Sequence, residues 1–149
     1  MSHKLEHIHM TVNAKISPNF KALPKDEAQR FVNDLMKAIK MKPLGPLNWA
    51  DAEDLDFPGQ SFVQMITTSH CSIHYFTDNE GTNEIHFDLY SCRCFDINKV
   101  IELLDKKFGL VSWHGILYQR ATDSAPEVQI IGSEDKQMVV AKNSSYARC

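Results

Sequence analysis

Residue types able to move protons, offer a thiol or stack on a cation crowd into two short stretches of this chain. One runs Thr67-Thr68-Ser69-His70-Cys71-Ser72-Ile73-His74-Tyr75-Phe76-Thr77-Asp78, the other Phe87-Asp88-Leu89-Tyr90-Ser91-Cys92. In extended chain, alternate residues share a face. If Ile8, Met10, Ile73, Phe87 and Leu89 are covered, the opposite face collects His7, His9, His74, Phe76, Asp78, His86, Asp88, Tyr90 and Cys92. A face that is merely solvated would more typically carry Lys, Glu and Thr, so this collection is a site candidate. Each member also has a plain structural reading. Ser69 alone would be a turn serine between strands, and Cys92 alone a half-buried structural cysteine. His7 and His9, two apart, together with Cys92 and Cys94 make zinc conceivable. Structural zinc normally uses CxxC-like knuckles or a His pair on a helix, so no metal is expected.

The elements that must position these residues follow from periodicity. Leu5 to Asn13 alternates, with Ile8, Met10 and Val12 on one side and His7, His9 and Thr11 on the other, the pattern of a half-buried strand. Between Lys25 and Met41, Ala28, Phe31, Val32, Leu35 and Ile39 recur at helical spacing, with Pro24 near the start and Asp26 and Glu27 in the first turn. Lys42 to Gln60 carries Pro43, Gly45, Pro46, Pro58 and Gly59 and reads as a loop crossing back over the fold. Ser61 to Thr67 and Cys71 to Phe76 read as strands, with Thr77 to Asn83 as a connecting turn. Glu84 to Ser91 alternates most clearly of all. A second helix is predicted from the N-cap Asp96 through Ile97, Val100, Ile101 and Leu104 to Gly109, followed by a strand from Leu110 to Gln119. Residues 122–149 form a polar tail with short apolar pieces at Val128 to Ile131 and Met138 to Ala141, whose structure the sequence leaves open. This order predicts an α+β two-layer sandwich, an antiparallel or mixed sheet with both helices on one face.

With 149 residues and 43% apolar content the chain suits a single domain, 1–149, with an ordinary core. A formal charge of −3 gives no basic surface of the kind that binds nucleic acid, so a small-molecule site is the better expectation. No apolar run is long enough to cross a bilayer, and MSHKLEHIHM lacks the apolar stretch of a secretory signal. A cytoplasmic protein, with no membrane partner and with its four cysteines as thiols, is expected.

The two stretches resemble the S-adenosylmethionine decarboxylases of the small prokaryotic type. That family carries Glu-Ser-His, two residues, then Ile-His at a self-processing site, and an Asp, two apolar residues, then Thr-Cys on the next strand. Here stand Ser69-His70, Ile73-His74 and Asp88-Leu89-Tyr90-Ser91-Cys92, and Ser61 takes the place of a family serine eight positions before the processing serine. The resemblance implies that the Ser69 hydroxyl attacks the carbonyl of Thr68, turning an amide into an ester. His74 would help remove the α-proton of Ser69, and Ser61 would help hold the tetrahedral oxyanion. Cleavage between Thr68 and Ser69 would give chains 1–68 and 69–149, the second starting with a pyruvoyl group derived from Ser69. That group would form a Schiff base with the substrate amine and take up the electrons of the departing carboxylate. Cys92 would return a proton to Cα, Phe76 would stack on adenine near the sulfonium, and Asp78 would stand for a glutamate that binds the ribose hydroxyls. The product would supply aminopropyl groups for spermidine synthesis.

The chain departs from the family in two places. Thr68 replaces the glutamate before the processing serine, and Phe76-Thr77-Asp78 replaces Trp-Pro-Glu ahead of a longer hairpin. Attack uses a backbone carbonyl, so the first departure leaves cleavage possible. The second leaves open a pyruvoyl-dependent decarboxylase of ornithine or arginine, and a further alternative is an uncleaved regulatory homologue. Ser69 and His74, five apart, would point to opposite faces of a regular strand, so a bulge, bend or turn near Ser69 is expected. A sheet covered by helices on one side leaves the other bare, and the resemblance implies a homodimer stacked as an αββα sandwich with sites near the interface.

Overall fold

The computed structural model describes residues 6–53, 56–67, 69–78 and 82–133. Its elements run β1 (Ile8–Ile16), α1 (Lys25–Ile39), β2 (Pro43–Ala52), β3 (Gly59–Ile66), β4 (Ser69–Thr77), β5 (Asn83–Ser91), α2 (Ile97–Phe108), β6 (Leu110–Gln119) and β7 (Val128–Ser133). The strands form one sheet in the order β2-β3-β4-β5-β1-β6-β7, every neighbouring pair antiparallel. This is the α+β sandwich expected from the element order, with the antiparallel alternative realised.

Each helix is delimited by local chemistry. α1 starts after Pro24, whose extended backbone suits the entry to a helix, and ends where Lys40 turns left-handed at φ 61°. In α2 the Asp96 carboxylate accepts from the Asn98 amide at 3.0 Å, and Gly109, at φ 71°, closes the other end. Ala28, Phe31, Val32, Leu35, Met36 and Ile39 of α1 and Ile97, Val100, Ile101, Leu104 and Phe108 of α2 are buried. They cover the sheet face made by Ile8, Met10, Val12, Phe62, Ile73, Phe87, Leu89 and Leu117. Fully burying such side chains stabilises by about 1.5–3 kcal/mol each, and this layer holds the sheet in shape. Trp113 lies in the same core, while Trp49 packs at its margin with its indole N–H donating to the Leu23 carbonyl at 2.9 Å, so both are packing residues.

The stretch read as a crossing loop is in part a strand: Pro43–Ala52 pairs with β3 as the sheet edge. An edge strand has one neighbour, so prolines that would break a central ladder are tolerated on its free side. Register shifts between Leu44 and Asn48, where Gly45 adopts φ 71°. The side-chain amide of fully buried Gln64 then donates to the carbonyls of Leu44 and Gly45, both at 3.1 Å, which the irregular ladder leaves unpaired. Thus tertiary pairing, not local propensity, makes β2. In the tail, Val128–Ser133 adds an edge strand beside β6, while Met138 to Ala141 lies outside the described residues. Cys71 and Cys92 are free, whereas Cys94 is disulfide-bonded, which departs from the all-thiol expectation. Among the described residues no helix is long and apolar enough to cross a membrane.

Candidate active site

Alternation delivers the second face as the sequence implied. On β3, β4, β5 and β1 the residues between the core positions, among them Ser61, His74, His86, Asp88, Tyr90 and His9, stand away from the helices. Register aligns them in rows across the sheet: Met65, His70, Tyr90, His9 and Tyr118; then Val63, Ser72, Asp88, Thr11 and Ile116; then Ser61, His74, His86, Asn13 and His114.

The five residues at the centre of the resemblance sort into two groups plus an anchor. Ser61 and His74 are register partners, and the Ser61 hydroxyl lies 2.8 Å from His74 Nδ1. With Nδ1–H donating to that hydroxyl, Nε2 keeps its lone pair and can accept a proton. Ser69 opens β4 opposite Ser91, so Cys92 follows immediately beyond its cross-strand neighbour. The pairing of β4 runs unbroken from Ser69 to Phe76 with β3 and from Ser69 to Thr77 with β5. β4 itself is therefore regular, and of the bulge, bend or turn expected near Ser69 the described residues show a turn at Thr67, ahead of the strand. Five residues at ~3.3 Å each set Ser69 and His74 roughly 16 Å apart along the strand, and alternation gives Ser69 the parity of the core residues Cys71 and Ile73. One copy of the chain thus holds a serine–cysteine end and a serine–histidine middle without joining them. Thr68, the other side of the expected cleavage point, lies outside the described residues.

Asp88 anchors the space between. One carboxylate oxygen lies 2.8 Å from His9 Nε2, and the other 3.4 Å from His70 Nε2, an ion pair rather than an aligned hydrogen bond. Burial by itself would raise the Asp88 pKa, but the hydrogen bond and charge of His9, then the charge of His70, outweigh it and hold the carboxyl below its usual range. His9 Nδ1 meets the Tyr118 hydroxyl at 2.9 Å, so the ring bridges the Asp88 carboxylate and the phenol through its two nitrogens. His7 Nδ1 meets the Tyr90 hydroxyl at 2.7 Å, and the Arg120 guanidinium sits 4.4 Å over the Tyr90 ring. Sequence reading had His7, His9, Asp88 and Tyr90 but passed over Tyr118 and Arg120. Alternation in Leu110 to Gln119 would have found Tyr118, whereas Arg120 lies beyond the strand and carries no periodic signal.

Phe76 and Asp78 share a small hollow with Phe57, Thr77, Thr82 and Glu84. The Phe76 ring stacks on His74 at 6.2 Å between centroids and meets His86 edge-on at 5.7 Å. One Asp78 carboxylate oxygen accepts from the Thr82 amide at 2.9 Å, which ties it to the hairpin connection. The two cysteines differ sharply. Cys71, facing the core, has its thiol pushed up to about 12 by burial and then by the Asp88 charge, and is inert. Cys92 is partly exposed and free. Among the described residues no group of three or more His, Cys, Asp or Glu has an arrangement that could hold a metal ion.

What this arrangement can do is proton transfer at two places on one sheet face, with an aromatic ring beside one of them. Comparison with known families gives a match to the S-adenosylmethionine decarboxylase model over residues 8–120, a span that holds Ser61, Ser69, His74, Phe76, Asp78, Asp88 and Cys92. No curated protein matches the chain.

Proposed function

The chain belongs to the S-adenosylmethionine decarboxylase family, and from that we propose a self-processing enzyme of the small prokaryotic type that acts on S-adenosylmethionine in the cytoplasm. The observation that carries the reading is the family match over residues 8–120, the span within which the chemistry's residues fall. The product, decarboxylated S-adenosylmethionine, would feed aminopropyl transfer to spermidine.

In processing, Ser69 Oγ adds to the Thr68 carbonyl carbon, the C–N bond breaks, and an ester and a free amine result. Loss of the Ser69 α-proton to His74 expels the Thr68 carboxylate and leaves a dehydroalanine, which water converts to a keto group with release of ammonia. The hydroxyl of Ser61 serves the oxyanion of the first step and orients His74 for the second. The residues present suit the pyruvoyl group that results, because Ser69 is the first residue of its strand and has Cys92 one residue beyond its neighbour. When formed, that group supplies an electrophilic carbonyl and an electron sink for decarboxylation. Cys92 holds the proton destined for the substrate Cα, the Phe76 face receives adenine, and Asp78 is the carboxylate for the ribose hydroxyls.

The separation of Ser69 from His74 bears on assembly. We propose that two copies stack by their open faces into an αββα homodimer with the sites near the interface. A pocket deep enough for a nucleoside would then form between the sheets.

Intact-mass analysis of purified wild-type protein tests the reading. Two species, 1–68 and 69–149, are expected, with the larger lacking a free amino terminus, and Ser69→Ala should stay whole. A single full-length species with no carbonyl reactive toward hydrazines would leave the uncleaved homologue. Carbon dioxide release from S-adenosylmethionine, ornithine and arginine then decides the substrate, and release from either amino acid alone would overturn the first choice.

A further inference from the structure

On the helical side, away from the open face, a hollow of about 180 Å³ lies between the C-terminal end of α1 and the segment that joins β5 to α2. Three cations line it. Lys40 is placed by the left-handed turn that ends α1. Arg93 is fixed through its backbone, since the buried Ser91 hydroxyl donates to the Arg93 carbonyl at 2.7 Å and accepts from its amide at 2.9 Å. Lys99 stands in the first turn of α2. None of the three makes an ion pair among the described residues. The acid at the rim, Asp96, has an oxygen occupied by the Asn98 amide. Met41 and Phe95 give the hollow an apolar floor.

Three like charges brought together from separate elements repel one another, and in a chain of net charge −3 they are a local exception. A multivalent anion removes that repulsion at once, a phosphate better than a carboxylate because it presents oxygens in several directions. We propose that this hollow binds a small, soluble, phosphate-bearing ligand, with its phosphate among Lys40, Arg93 and Lys99 and its organic part on Met41 and Phe95. Ser91, which holds Arg93, is the register partner of Ser69, and Cys92 lies between Ser91 and Arg93. A ligand here would therefore stiffen the segment that carries Cys92. The site itself stands whether or not the chain decarboxylates anything.

The test is titration of inorganic pyrophosphate into the full-length protein at constant ionic strength, followed by backbone amide shifts and by Tm. Saturable binding is expected, with shifts centred on Lys40, Arg93 to Asp96 and Lys99, and a Tm that rises with ligand. Arg93→Ala and Lys99→Ala, both at exposed positions, should each weaken binding about tenfold. Lack of saturation up to about 10 mM, undiminished affinity in both variants, or shifts scattered over other basic residues would each overturn the proposal. So would recruitment by anionic phospholipid vesicles without any response to soluble pyrophosphate.

Discussion

The two faces of this sheet are built from the same strands, one residue out of phase, yet they differ in nearly every physical respect. The helix-facing residues of β1 and β5, Ile8, Met10, Val12, Phe87 and Leu89, are at most 2% exposed, and the thiol of Cys71, on the same side of β4, is held protonated. The residues between them are His9, Thr11, His86, Asp88 and Tyr90, joined by hydrogen bonds to one another and to the next strands. One face carries the core and the other holds the groups able to move protons, and a single-residue slip in register would exchange them.

That contrast can be broken by mutation. The largest effect expected is on the open face: His74→Ala should slow self-cleavage by about 10²–10⁴-fold with little change in the denaturant midpoint. Co-expression of His74→Ala with Ser69→Ala should restore cleavage of the former chain if the sites are shared between protomers, and intact mass reads this directly. On the helix-facing side, Phe87→Ala should cost about 3–5 kcal/mol in urea unfolding, and a cost under about 1 kcal/mol would mean that this core is not what holds the sheet. Asp88 stands between the two cases. Its folded pKa is lowered, so the stability it contributes is present above the ordinary carboxylate value of about 3.9 and is lost as pH falls through the lower folded value. Asp88→Asn should flatten the acid limb of stability against pH, and an unchanged limb would place the acid transition elsewhere. The smallest effect belongs to Ile130, 83% exposed on edge strand β7. Ile130→Ser should alter unfolding by less than about 0.5 kcal/mol, so a larger loss by calorimetry would show that this edge is covered.

Much of this was legible in the sequence for a definite reason: β1, β5, α1 and α2 are set by periodicity and capping, which are local. Asp96 and Gly109 bound α2 as read. β2 was not legible, because Pro43, Gly45 and Pro46 argue locally for a loop and only the edge position, with Gln64 serving the irregular backbone, makes a strand affordable. The parity conflict between Ser69 and His74 was visible in advance, but its resolution was not. A bulge, bend or turn near Ser69 was the local answer, and the unbroken register leaves no bulge or bend within β4 itself. Tyr118 and Arg120 escaped notice because their partners His9 and Tyr90 lie far away in sequence.

The place of β1, between β5 and β6, has a consequence for the processed form. A cut after Thr68 would assign β1, β2 and β3 to one polypeptide and β4, β5, β6 and β7 to the other. The first strand of the short piece would remain threaded through the middle of the long one, zipped along both sides. The severed halves would travel as one body under native conditions, and once denatured they would reassemble at a rate that depends on their concentration.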